Sequence, residues 1–204
     1  MKDELTVRLD RIYSAIEMAR EDDLTKFKPT IISTAKMVGF EQEFSGGQSQ
    51  AEIDNVAQSM IANVASLRDN LKKWAKKNGK DGDRVDEVLK ASFPLSIIYD
   101  LWTVDKHTAS SHPWSGKRPH VPELHGTLQI TAPPGKAAVW MPGRFGNAIQ
   151  GGGSACRVIT GEIRDEDGTV IGQFYPTLLG AVAAWEALLK EFDISLEGYD
   201  AVTS

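Results

Sequence analysis

The longest regular pattern in the chain is an apolar seam at helical spacing. Ile53, Ala57, Met60, Val64, Leu67, Leu71 and Trp74 follow one another at steps of four, three, four, three, four and three. A stripe with that period runs along one side of an α-helix and needs a helical partner to cover it. Ser49, three residues before Glu52, resembles a capping box that opens the helix, and Lys77-Asn78-Gly79 closes it. The partner is predicted nearby. Asp83 or a neighbour opens a second helix through Val85, Val88 and Leu89. Pro94 kinks or restarts it, and Leu95, Ile98, Leu101 and Trp102 carry the apolar face on toward Ala109. A short link between two such helices makes an antiparallel hairpin.

Leu5, Leu9, Ile12, Ile16 and Ala19 place another helix over residues 3–21. Residues 28–44 admit a short helix opened by Pro29-Thr30 and carrying Ile31, Ile32, Ala35, Met37 and Val38, broken by Gly39 and by Ser45-Gly46-Gly47. Beyond the second helix the texture changes. Residues 110–126 read as a proline-rich loop. Leu124–Thr131, Lys136–Met141, Ala155–Arg164 and Thr169–Tyr175 read as strands, with Asp165-Glu166-Asp167-Gly168 as the turn between the last two. Gly143–Ser154 reads as a loop or tight crossing. Pro176 opens a final helix with Leu179, Val182, Trp185, Leu188, Leu189 and Phe192, placed to cover one face of a small sheet. The expected fold is α+β: a helical bundle with a long antiparallel hairpin over 1–110, a loop over 111–126, and a small antiparallel sheet with a C-terminal helix over 127–204, the two parts packed as one unit or separately.

Composition narrows the function classes. The chain has 204 residues, 41% hydrophobic and 25% charged, which suits a globular core without staples. A net charge of -5 disfavours a broad nucleic-acid surface, though not a local basic patch. The one cysteine, Cys156, cannot close an internal disulfide, so a reducing cytoplasm is the expected compartment. No leader segment and no apolar run of the ~20 residues a membrane helix needs stands out, so no membrane partner is expected.

Candidate chemistry gathers around the end of the second long helix. All four histidines, His107, His112, His120 and His125, fall within 19 residues. Such a cluster could make a metal or acid–base site, but the spacing is a poor match to metal-binding pairs. His107 and His112, five apart, point about 140° away from each other on a helix, and no metal or other cofactor is expected. Asp105-Lys106-His107 is a polar triplet that helix-end electrostatics explains only in part, because Lys106 and His107 suit the last carbonyls and Asp105 does not. Two basic groups could meet phosphates. One is Lys72-Lys73-Trp74-Ala75-Lys76-Lys77, with Lys73 and Lys76 as binding candidates. The other is Trp114, Lys117, Arg118 and His120, in which the tryptophan anchors a ligand or folds back over the hairpin.

The segment Ile97-Ile98-Tyr99-Asp100-Leu101-Trp102-Thr103-Val104-Asp105-Lys106-His107 resembles a helix ending found in many bacterial and phage proteins, where an apolar helix closes on Asn or Asp and then Lys-His. Ile61-Ala62-Asn63-Val64-Ala65-Ser66-Leu67-Arg68-Asp69-Asn70-Leu71 is similar to their partner helix. Together, over about residues 50–110, they look like a HEPN-type helical hairpin. The resemblance implies a helical bundle directed to RNA, acting as a homodimer in defence or toxin systems, either as a metal-independent ribonuclease or as a degenerate member. The active family pattern is an arginine, a polar residue and then, four to six positions on, a histidine. Here no arginine stands in that place, and Lys106 with His112 is the nearest substitute. In the active version His107 or His112 would be the general base, Lys106 or Arg68 would stabilise the phosphorane-like oxygens, and Asn63 and Asp105 would orient them. The alternatives are a protein-interaction or oligomerising module and a metal-dependent hydrolase on the histidine loop.

Overall fold

The computed structural model describes residues 4–28, 30–33, 38–106, 112–132, 136, 139–141, 148–150 and 153–196, with backbone alone at 31–33, 38–41, 105–106, 140–141 and 148–150. Helix α1 (Glu4–Ala19) buries the stripe Leu5, Leu9, Ile12, Ile16 and Ala19. A two-residue strand β1 (Arg20–Glu21) and a 3-10 turn at Leu24–Lys26 follow. Residues read as a short helix form a hairpin instead, β2 (Thr30–Ser33) against β3 (Val38–Glu41), with Ile32 opposite Gly39. Thr30, Ile31, Ile32 and Val38 are β-branched and lose rotamer freedom in a helix, so a short run of them goes to strand. Ala35 and Met37 lie outside the described residues.

Helix α2 (Gln50–Lys77) is the apolar seam. Its capping box is formed: Glu52 N donates to Ser49 Oγ at 3.3 Å and Ser49 N donates to Glu52 Oε2 at 2.7 Å. Ile53, Ala57, Met60, Val64, Leu67 and Leu71 are buried, and Trp74 stacks on Phe192 with centroids 5.9 Å apart, so it packs against the core. Helix α3 (Asp83–Ala91) stops at an extended Ser92, and α4 (Phe93–Lys106) restarts with Pro94 in its first turn, where proline's missing N–H costs no helical bond. Ser96 Oγ donates to Leu89 O at 2.7 Å and to Ser92 O at 3.0 Å, satisfying carbonyls at the break. The α2–α4 pair is antiparallel: Arg68 meets Tyr99, whereas the earlier Ile61 lines a cleft with the later Leu101.

Strands β4 (His125–Thr131) and β7 (Ser154–Thr160) pair antiparallel from His125–Thr160 to Thr131–Ser154, and β1 closes the other side of β7. The expected loop over 143–154 contains a strand, β6 (Ala148–Gln150), paired with β5 (Val139–Met141). The strand expected over 155–164 is cut at Gly161 into β7 and β8 (Glu162–Arg164). An added Cβ at Gly161 would stand 2.2 Å from Glu123 O, so the chain passes too close there for any side chain. β8 pairs with β9 (Val170–Gln173) through the expected turn, in which Gly168 N donates to Asp165 O at 2.9 Å. In place of one sheet there is a three-stranded sheet and separate two-stranded ladders.

Helix α5 (Phe174–Glu191) begins two residues before Pro176, its start fixed by Phe174 N donating to Gly161 O at 2.8 Å. It packs on the sheet through Tyr175, Leu179, Cys156 and Val158, and on the helices through Trp185, whose Nε1 donates to Val64 O at 3.0 Å. One hydrophobic core runs from Leu5 to Phe192 through both halves of the chain. Arg157 on β7, only 3% exposed, ties the loop before α2 to the sheet. Its Nε donates to Phe44 O at 3.0 Å and its Nη2 to Gln48 Oε1 at 2.5 Å, and burial lowers its basicity.

Candidate functional site

Arg68 projects from α2 toward α3 and α4 and makes several contacts there. Its Nε donates to Asp86 Oδ1 at 2.7 Å, and its Nη1 donates to Tyr99 Oη and Asp69 Oδ1, each at 3.3 Å. The guanidinium lies 5.5 Å from the Tyr99 ring centroid and 5.2 Å from that of Trp114, within cation–π range of both. Lys72 also reaches Asp86, at 2.6 Å. Burial alone would push the Asp86 carboxyl up, but the hydrogen bonds from Arg68 and Lys72 outweigh it and hold the group below its usual range.

Of the other proposed catalytic residues, only Asn63 and His112 have described side chains. Tyr99, where Arg68 touches α4, precedes Lys106 by seven residues, roughly 10 Å of helix rise. Asn63 spends its amide on Ser59 Oγ, one turn back on its own helix. Asp105 and Lys106 are the last residues of α4, with backbone alone described, and His107 lies outside the described residues. His112 is exposed at the start of the next described segment. The helices adjoin as expected, while Arg68 and Asn63 are occupied with neighbours of their own.

Trp114 folds back over the hairpin. Two carboxylates clamp its loop. Asp100 on α4, 1% exposed, accepts from Trp114 N at 2.9 Å, Ser115 N at 2.8 Å and Ser115 Oγ at 2.6 Å. Asp165, in the β8–β9 turn, accepts from Lys117 Nζ at 2.8 Å and from Arg118 N at 3.1 Å. The Lys117 ammonium and the backbone N–H groups of Glu166 and Arg118 bring the Asp165 carboxyl down to about 2. Arg118 reaches Glu166 at 3.2 Å, and His120 makes a backbone bridge with Arg164. The loop's cations are therefore used to hold the loop. Trp114 itself packs edge-on to Tyr99 with centroids 5.9 Å apart.

At the far end of α2, Lys72, Lys73, Lys76 and Lys80 line an open concavity of about 420 Å³, together with Asp81 and Asp83. Lys80 pairs with Asp193 at 3.0 Å, and nearby Arg84 binds Glu191 and Glu87. Lys73 and Lys76 have no ion pair among the described residues.

A different cleft, of about 480 Å³, opens between the first half of α2, Leu101 on α4 and residues 121–124. Ile61, Leu101, Val121, Pro122 and Leu124 supply its apolar surface, and Gln50, Asp54, Gln58 and Glu123 its polar one. Gln50 Nε2 bridges Asp54 Oδ1 at 2.9 Å and Leu124 O at 3.0 Å, which braces the wall. Gln50, Asp54 and Gln58 recur every four residues, a polar stripe beside the apolar seam. That spacing was visible in the sequence, but Glu123 joins it only through the fold. Among the described residues no group of three or more His, Cys, Asp or Glu side chains could hold a metal ion. Also among the described residues, no helix is long and apolar enough to cross a membrane.

No protein-family model, curated protein or solved structure matches this chain.

Proposed function

We propose that this chain is a HEPN-like helical protein that acts by binding another protein and does not cleave RNA. One observation carries the reading: four of the cations expected to meet RNA, Arg68, Lys72, Lys117 and Arg118, are already paired with carboxylates within the molecule. Arg68 and Lys72 share Asp86, Lys117 faces Asp165, and Arg118 reaches Glu166. Phosphate affinity comes from Lys and Arg that release counterions on contact, and a cation must leave its internal carboxylate before it can do so. The net charge of -5 acts in the same direction. The family's catalytic arginine is missing, and Arg68 is no substitute because it is committed to Asp86 and two rings roughly 10 Å of helix away from Lys106.

A second reading, RNA binding without cleavage, draws on Lys73 and Lys76, which have no ion pair among the described residues. Titration of labelled single- and double-stranded RNA with purified protein at about 0.15 M salt separates the two. The protein-binding reading expects no saturable RNA binding. Saturable binding that Lys73→Ala/Lys76→Ala removes would establish the RNA reading in its place. Solution mass against the 22.3 kDa monomer then reports whether the partner is a second copy of the chain.

A further inference from the structure

We infer that the cleft between the first half of α2, Leu101 and residues 121–124 is a docking site for an extended segment of a partner protein carrying Lys or Arg. The inference rests on the protein-binding reading above and names the chemistry of the partner.

Three features of the cleft point to that occupant. Its size, about 480 Å³, falls within the range of sites that enclose a small ligand or a few side chains. Its floor is apolar and firm: Ile61, Leu101 and Leu124 are each buried and belong to, or pack within, the main core. Its rim is acidic and one-signed. Asp54 and Glu123 line it, neither makes an ion pair with any described cation, and no described Lys, Arg or His lines the cleft at all. Two carboxylates without an ion pair among the described residues, one from α2 and one from residues 121–124, line the same cleft and form a complementary field for a positive group.

The polar chemistry between those walls suits a peptide. Gln50 is fixed by its bonds to Asp54 and Leu124 O, which holds the Asp54 carboxylate toward the cleft. Gln58, one turn further along α2, offers an amide donor and acceptor that no described residue uses, the pair of groups that matches a backbone peptide unit. An anionic ligand would meet Asp54 and Glu123 with no cation to offset them. A lysine or arginine stem would lie along Leu101 and Ile61, with its charged end between the two carboxylates.

The test is a fluorescence-anisotropy titration of the full chain with labelled peptides of Lys/Arg-rich and Asp/Glu-rich composition, at about 0.05 M and 0.5 M salt. The expected result is saturable binding of basic peptides only, weakened at high salt. Asp54→Asn/Glu123→Gln should weaken it by about tenfold, the effect of two partly shielded charge pairs. Both substitutions keep size and hydrogen-bonding shape, so an unchanged thermal midpoint separates loss of the site from loss of the fold. Lys73→Ala/Lys76→Ala is the control and should bind as the wild type does. Basic-peptide binding that the cleft variant leaves unchanged would overturn the cleft assignment and leave the protein-binding reading standing. No peptide binding, together with saturable RNA binding, would overturn both.

Discussion

The Asp100 carboxylate accepts the backbone N–H of Trp114 at 2.9 Å, and this bond fastens the loop after α4 back onto the helix it has just left. Trp114 thereby closes over Tyr99 and Arg68. Asp100, buried within α4, works as the anchor of a loop.

Asp100→Ala removes the acceptor of three donors and leaves the backbone N–H groups of Trp114 and Ser115 without it. The expected loss is roughly 3 kcal/mol of unfolding free energy. Urea denaturation followed by tryptophan fluorescence measures it. A loss within experimental error would show that the loop is held by packing alone.

Arg68→Ala leaves Asp86 with Lys72 as its one remaining cation among the described residues and strips the guanidinium from two rings. Destabilisation of about 2 kcal/mol is expected, and Arg68→Lys should recover only part of it, because an ammonium lacks the planar face that stacks. Full recovery by lysine would mean that the charge alone matters at this position.

Asp165 has a folded-state value of about 2, below the ~3.9 of a free aspartate, because Lys117 and two backbone N–H groups favour its charged form. A depressed carboxylate stabilises the fold above its unfolded value, and that contribution is lost as pH falls from about 4 toward 2. Unfolding free energy measured across this window should fall more steeply for the wild type than for Asp165→Asn. Parallel curves would exclude Asp165 as a source of the acid sensitivity.

Gly126 and Gly47 should respond differently to alanine. A Cβ on Gly126 would stand 2.1 Å from Phe44 O and 2.8 Å from Arg157 Nε, so Gly126→Ala forces the β4 backbone and the loop before α2 apart, at a cost of roughly 3 kcal/mol or more. Gly47 has φ +77 and nothing within 4 Å of the added atom, so Gly47→Ala costs only the left-handed backbone penalty, about 1 kcal/mol. Thermal midpoints of the two variants give the comparison directly, and equal shifts would contradict the packing at Gly126.

Much of the fold was legible wherever one helix carried its own signal. The seam from Ile53 to Leu71, the capping box at Ser49, the break at Pro94 and the helix bearing Trp185 all depend on residues within a turn or two of one another, and the structure has each of them. What the sequence concealed depends on distant neighbours. Ile31 and Ile32 fit either period, and the cross-strand partners Phe40 and Gly39 decide for a hairpin. Gly161 divides an apparently continuous strand because Glu123 O passes beside it. The same limit governs the site. The role of Arg68 is set by Asp86, Tyr99 and Trp114, which arrive from three other segments, and the acidic cleft exists only once residues 121–124 lie against α2.

Incubation of the wild-type protein and His107→Ala with a panel of structured and unstructured RNAs, read by denaturing electrophoresis, tests the central claim that this chain binds rather than cleaves. The expected result is intact RNA with both proteins. Cleavage by the wild type that His107→Ala abolishes would contradict it.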